Sequence, residues 1–179
     1  TSPGSLVFDR PDDVEIDGEF TGTGGIFQRG KGALTLSESG FLTHAGMFVQ
    51  QDGSGTFTSA GLIDGPREVR SDADIILRGR SLTRPGKSLA IGTRNGGFLT
   101  MSDSARVEVR GMGHLIIGDL GTGQSVLSMK GGSIQCREFF VGKNSGTSGV
   151  VLQKNGDIIK QGQLDTRIGG GVPGNHGSW

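Results

Sequence analysis

The chain has 179 residues, 35 of them glycine, with 18 basic and 18 acidic side chains and a formal charge of zero. Glycine at roughly three times its usual share of about 7%, with no three-residue period and only five prolines, excludes collagen, and recurrent LxI and VxV clusters exclude a disordered chain. The balanced charge removes the simplest case for a nucleic-acid partner, and no apolar run approaches the roughly 18 residues of a membrane span.

Residues 1–24 hold Asp9, Asp12, Asp13, Glu15, Asp17 and Glu19 against Arg10 alone, behind a short apolar segment containing Leu6, Val7 and Phe8. A period near 21 residues then begins, where GIFQRGKGALTLSESG at 25–40 is answered by GMFVQQDGSGTFTSAG at 46–61. Leu34-Thr35-Leu36 and Thr56-Phe57-Thr58 alternate with period two, as half-buried strands do. Residues 64–88 carry Pro66, Pro85 and five of the twelve arginines, and are expected to form an irregular coil or an excursion. This basic middle faces an acidic start, which suits subunits meeting end to end.

From residue 89 the period lengthens to about 25, and LAIG (89–92), LIIG (115–118) and FFVG (139–142) say nearly the same thing. Each coil reads as three short apolar segments. The first set is Leu89–Ile91, Phe98–Met101 and Val107–Val109; the second is Leu115–Ile117, Val126–Met129 and Ile134–Cys136; the third is Phe139–Val141, Val150–Leu152 and Ile158–Lys160. Glycine and asparagine in TRNGG, DLGTGQ and KNSGTSG supply the corners. A unit this short cannot bury a face alone, so the chain is predicted to be an all-β parallel β-helix, or β-solenoid. About three short strands per coil and coils of roughly 21–27 residues are expected, with residues 1–170 as one domain. Residues 171–179, GVPGNHGSW, are expected to be a flexible arm.

The GKGALTLSESG run and the LxIGxxGxG phrases resemble the β-helical repeats of autotransporter passengers and related bacterial surface proteins. The resemblance covers residues 25–168 and implies an extracellular or cell-surface location, in motifs that encode turns and core strands. A chain starting at Thr1 fits a processed secreted protein or an excised fragment, and the lone Cys136 leaves no internal disulfide.

Parallel β-helices also include polysaccharide lyases and glycosidases, which need carboxylates gathered on one face. Aligned third strands give the columns Val107/Ile134/Ile158, Glu108/Gln135/Ile159, Val109/Cys136/Lys160 and Arg110/Arg137/Gln161, none of which gathers acids. Cys136 reads as a small buried hydrophobe, whereas Lys160 in its column signals a register slip or the end of the coil stack. The histidines, His44, His114 and His176, stand apart, and the calcium nonapeptide and the phosphate-binding GxxxxGK[ST] patterns are not met.

No catalytic, metal or cofactor residues are therefore assigned. The expected function is a non-enzymatic exported structural protein, a subunit of an extracellular filament, sheath or surface layer whose partners are copies of itself. Leu6, Val7, Phe8, Val172, Pro173 and Trp179 are the candidate assembly residues. A surface adhesin or passenger fragment using an outward row of Arg110 and Arg137 on a glycan or host molecule is the alternative, and a polysaccharide lyase or glycosidase comes third.

Overall fold

The structure is a computed structural model that describes residues 3–51, 55–161, 166–169 and 176–178. Its described elements are all strands, and no helix is long and apolar enough to cross a membrane. The first coil is β1 (Ser5–Phe8), β2 (Val14–Ile16) and β3 (Glu19–Gly22), and the second is β4 (Gly25–Gln28), β5 (Leu34–Leu36) and β6 (Phe41–His44). The third is β7 (Phe48–Gln50), β8 (Thr56–Ser59) and β9 (Leu62–Asp64), followed by β10 (Glu68–Ser71), β11 (Asp74–Leu77) and β12 (Leu82–Arg84) in the fourth. Next come β13 (Ser88–Ile91), β14 (Gly97–Met101) and β15 (Arg106–Glu108), then β16 (His114–Ile117) with β17 (Gln124–Cys136), then β18 (Glu138–Val141) with β19 (Ser148–Lys160). Strand β20 (Thr166–Ile168) pairs with β18, and β21 (His176–Ser178) pairs with β19.

Every pairing is parallel and joins one coil to the next, which makes a β-solenoid of about seven turns. One face runs β1-β4-β7-β10-β13-β16-β18-β20, and the other two merge into one 13-stranded sheet through β17. In the last two coils the second and third predicted segments are therefore one bent strand, with register shifts at Met129 to Ser133 where β17 turns the corner. The repeat follows from the register: Ser5 lies beside Gly25 and Ser88 beside Glu68, 20 residues apart, whereas Ser88 to His114 spans 26 and Phe139 to Thr166 spans 27.

Alternation along each short strand turns one set of side chains inward, and stacking places like on like. Ile26, Phe48, Val69, Leu89, Leu115 and Phe139 form one buried column, and Leu34, Phe57, Ile75, Leu99, Leu127 and Val151 form another. Phe48 and Phe57 meet across the core with ring centroids 4.8 Å apart and planes tilted by 60°. A polar column accompanies them: Gln50 donates to Gly55 O and Asp74 O, and accepts from the Ser71 hydroxyl at 2.9 Å. Buried amides must be satisfied in this way, because an orphaned one costs about 1–3 kcal/mol.

Residues 64–88 do not form an irregular excursion. Strands β10, β11 and β12 pair in register on both sides, and the two prolines sit just outside them. Pro66 precedes β10 and Pro85 follows β12; their carbonyls accept from Gly86 and Arg110, so at a corner the missing N–H disrupts no ladder. Lys160 involves no slip either, since Ile158 still pairs with Ile134 and Lys160 stands exposed over Cys136. Within 171–179, β21 occupies His176–Ser178 as a strand beside Ser148–Val150, which replaces a free arm there.

Candidate functional site

Three surfaces bear on function, and the first coil presents one of them. Leu6 and Phe20 stand in inward columns beneath Ile26 and Leu42 and are 38% and 40% exposed, whereas those two neighbours are 4% and 0% exposed. Phe8 is likewise inward, below Gln28, but Val7 points outward beside Phe27, so the β1 segment divides between the two sides. A recess of about 320 Å³ lies among Leu6, Phe20, Gly22, Gly25, Ile26 and His44.

His44 closes that recess from the second coil. Its Nδ1 lies 3.2 Å from Gly24 O, so Nδ1–H donates there, and Nε2 is sealed from solvent with no partner. Burial pulls the His44 pKa down, the Gly24 carbonyl only partly offsets this, and the imidazole stays neutral at neutral pH. The surrounding acids are largely tied into the ladder: Asp13 Oδ1 accepts from Ala33 N at 2.7 Å, Asp17 Oδ1 from Ser37 Oγ at 2.8 Å, and Asp12 pairs with Arg10. Asp13 and Asp17 thus latch the first coil to the second.

Ion pairs across the rungs make the second surface. Asp64 takes Arg84 at 2.6 Å and Arg110 at 3.1 Å, so the exposed Arg110 reaches back across two coils. Arg137 is half-buried after Cys136, and its backbone N–H donates to Gly113 O. The Glu68 carboxyl is pushed up by burial, but Arg70 at 2.6 Å and Lys87 at 3.5 Å pull it below its ordinary value. Asp72, 5% exposed, accepts from Thr93 Oγ1 at 2.9 Å and Arg94 N at 2.7 Å and so closes the corner between the fourth and fifth coils.

Ser88, His114 and Glu138 occupy consecutive rungs of one outward column, in the order of a hydrolytic triad. Glu138 Oε2 lies 2.6 Å from His114 Nδ1, and the imidazole stands edge-on to Phe140 at 5.7 Å. Among the described residues no hydrogen bond joins Ser88 to His114, so the column lacks the contact that would activate the hydroxyl. Cys136 is 1% exposed, and burial raises its thiol to about 11, well away from the thiolate a nucleophile or metal ligand needs. Among the described residues no three His, Cys, Asp or Glu side chains converge as a metal would require.

No family model, curated protein or solved structure matches the chain. The reading of the site therefore rests on its own geometry. Val172, Pro173 and Trp179 lie outside the described residues.

The third surface is the outer side of β6, β9 and β12, where Phe41, Leu62 and Leu82 stand on successive rungs. Alternation along β6, β9 and β12 turns each of them outward, and the sequence reading singled out none of the three. That they form one stripe depends on the register, which sequence reasoning did not align over residues 41–82.

Proposed function

We propose that the protein is a non-enzymatic, exported structural subunit that assembles end to end into an extracellular filament, sheath or surface layer. The observation carrying this reading is the apolar side of the first coil, where Leu6 and Phe20 continue the core columns with nothing packed beneath them among the described residues. Such a rung offers both unpaired strand edges and apolar surface to a following layer. Asp13, Asp17, Asp64, Asp72 and Asp103 are occupied in holding rungs together, which supports a scaffold over a catalyst. The resemblance of the repeats to autotransporter passengers supports the exported setting.

An adhesin or passenger role has one observation in its favour: Phe98, Leu152 and Ile159 are outward and 49%, 56% and 48% exposed on the later coils. The two readings separate by electron microscopy and sedimentation of the purified chain. Ordered polymers are expected from the parent protein, and Leu6→Asp or Phe20→Asp should leave soluble monomers with unchanged β-type circular dichroism. A parent chain that stays monodisperse and unassembled overturns the structural reading, and glycan arrays then test the adhesin.

A further inference from the structure

The outer side of the third face carries a five-rung column whose order is Glu19, Phe41, Leu62, Leu82, Arg106. Alternation turns these residues outward, and the intervening Leu42, Ile63, Thr83 and Val107 are buried. Outward strand positions of a solvated sheet are ordinarily polar, yet the three middle rungs are apolar, with Phe41 39% exposed and Leu62 and Leu82 half-buried. A shallow depression of about 680 Å³ runs along them, bordered at the corners by Glu38 and Arg80 and left open by Gly61. Glu19, Glu38 and Arg80 enter no ion pair among the described residues, whereas Arg106 pairs with Glu108 on its own rung, so the corner pair Glu38 and Arg80 carries the uncompensated charge.

The column is self-complementary. It reads acid, three apolar rungs, base, and the corner pair repeats that polarity, with Glu38 on the Phe41 side and Arg80 on the Leu82 side. Rotation by a half-turn about an axis parallel to the strand and just outside the face above Leu62 sets Glu19 against the partner's Arg106 and Phe41 against the partner's Leu82. The same rotation brings Leu62 onto the partner's Leu62 and Glu38 onto the partner's Arg80, each charged contact occurring twice, as an isologous interface requires. We propose that this face binds a second copy of the chain, side by side and antiparallel, about that two-fold axis.

Other occupants fit less well. The strands beneath the stripe are paired on both sides within the solenoid, so an incoming peptide finds no free backbone edge to extend. A ligand matching the stripe must carry the opposite charge order across an apolar centre, and the rotated copy supplies that order. The neighbouring outward column brings Asp64 near its own copy, but Arg84 and Arg110 already neutralise it.

Lateral pairing does not depend on end-to-end assembly, so it is tested in the full chain carrying Leu6→Asp, which alters a different face. Sedimentation equilibrium should show a dimer. Glu38→Arg and Arg80→Glu should each weaken it by at least about tenfold, because like charges then meet at both ends of the stripe. An equimolar mixture of these two variants should pair again, since every arginine then faces a glutamate. The double variant should also dimerise, and circular dichroism should be unchanged throughout. A parent that is monomeric at about 100 μM, single variants that pair as the parent does, or a mixture no tighter than its components would each overturn the proposal. So would a monomer that binds a neutral oligosaccharide and loses it on Leu62→Asp.

Discussion

The surroundings of His44 are set by residues about 20 positions earlier in the chain. His44 is inward by alternation on β6, but its environment comes from Gly24, a full coil earlier, and from the small residue Gly22 directly beneath it. With Nδ1–H donated to Gly24 O and Nε2 unpartnered, the folded state holds the neutral ring, and its pKa lies below the unfolded value of 6.5. As pH falls below 6.5 the unfolded chain binds a proton that the folded chain resists, so stability should drop by up to about 1.4 kcal/mol per pH unit. The loss should cease once the folded histidine titrates as well. Urea unfolding between pH 7.5 and 5 should show this slope, and His44→Leu should flatten it; an unchanged slope would place the sensitivity elsewhere. Cys136 was readable as buried from its column alone, because depth there follows from strict alternation. The partners of His44, Asp64 and His114 were not, since each partner lies at least one coil away.

At the level of the element, the repeated xxIG phrase is a backbone instruction. Gly92, Gly118 and Gly142 follow β13, β16 and β18 at φ angles of 74°, 82° and 68°, and Gly169 follows β20 at 67°. Each donates its N–H one rung down, Gly118 to Ile91 O and Gly142 to Ile117 O at 2.8 Å, so the chain enters a left-handed corner with the ladder intact. A Cβ at Gly118 would also lie 2.8 Å from Ser148 O. Gly118→Ala should therefore lower the stability measured by chemical unfolding by about 2 kcal/mol or more, and an unaffected midpoint would show that the corner relaxes. The same logic explains the misread stretch at 64–88. Proline interrupts a strand only from within it, and Pro66 and Pro85 sit at corners, a placement that the spacing of neighbouring coils reveals but local composition does not.

The whole molecule is quasi-one-dimensional, each coil contacting the next through three parallel ladders and a continuous core. Coils with neighbours on both sides should open least. Hydrogen exchange is expected to be slowest at amides of the middle rungs, such as Ile75, Leu99 and Leu115, and fastest in β1 and β20; uniform protection would indicate one all-or-none unit instead. If both association modes operate, the apolar first rung lengthens the solenoid and the Phe41–Leu62–Leu82 stripe widens it, which together would make a sheet. The solenoid itself was legible in the amino-acid order, because its two determinants are local: period-two alternation in each strand and glycine-rich corners, many of which, above all in the later coils, hold a positive-φ glycine. The surfaces were not. Which outward residues become neighbours depends on coil lengths that vary from 20 to 27 residues, as the pairs Ser5 to Gly25 and Phe139 to Thr166 show. One residue more or less between rungs would break up the acid-apolar-base stripe without disturbing any strand's own pattern.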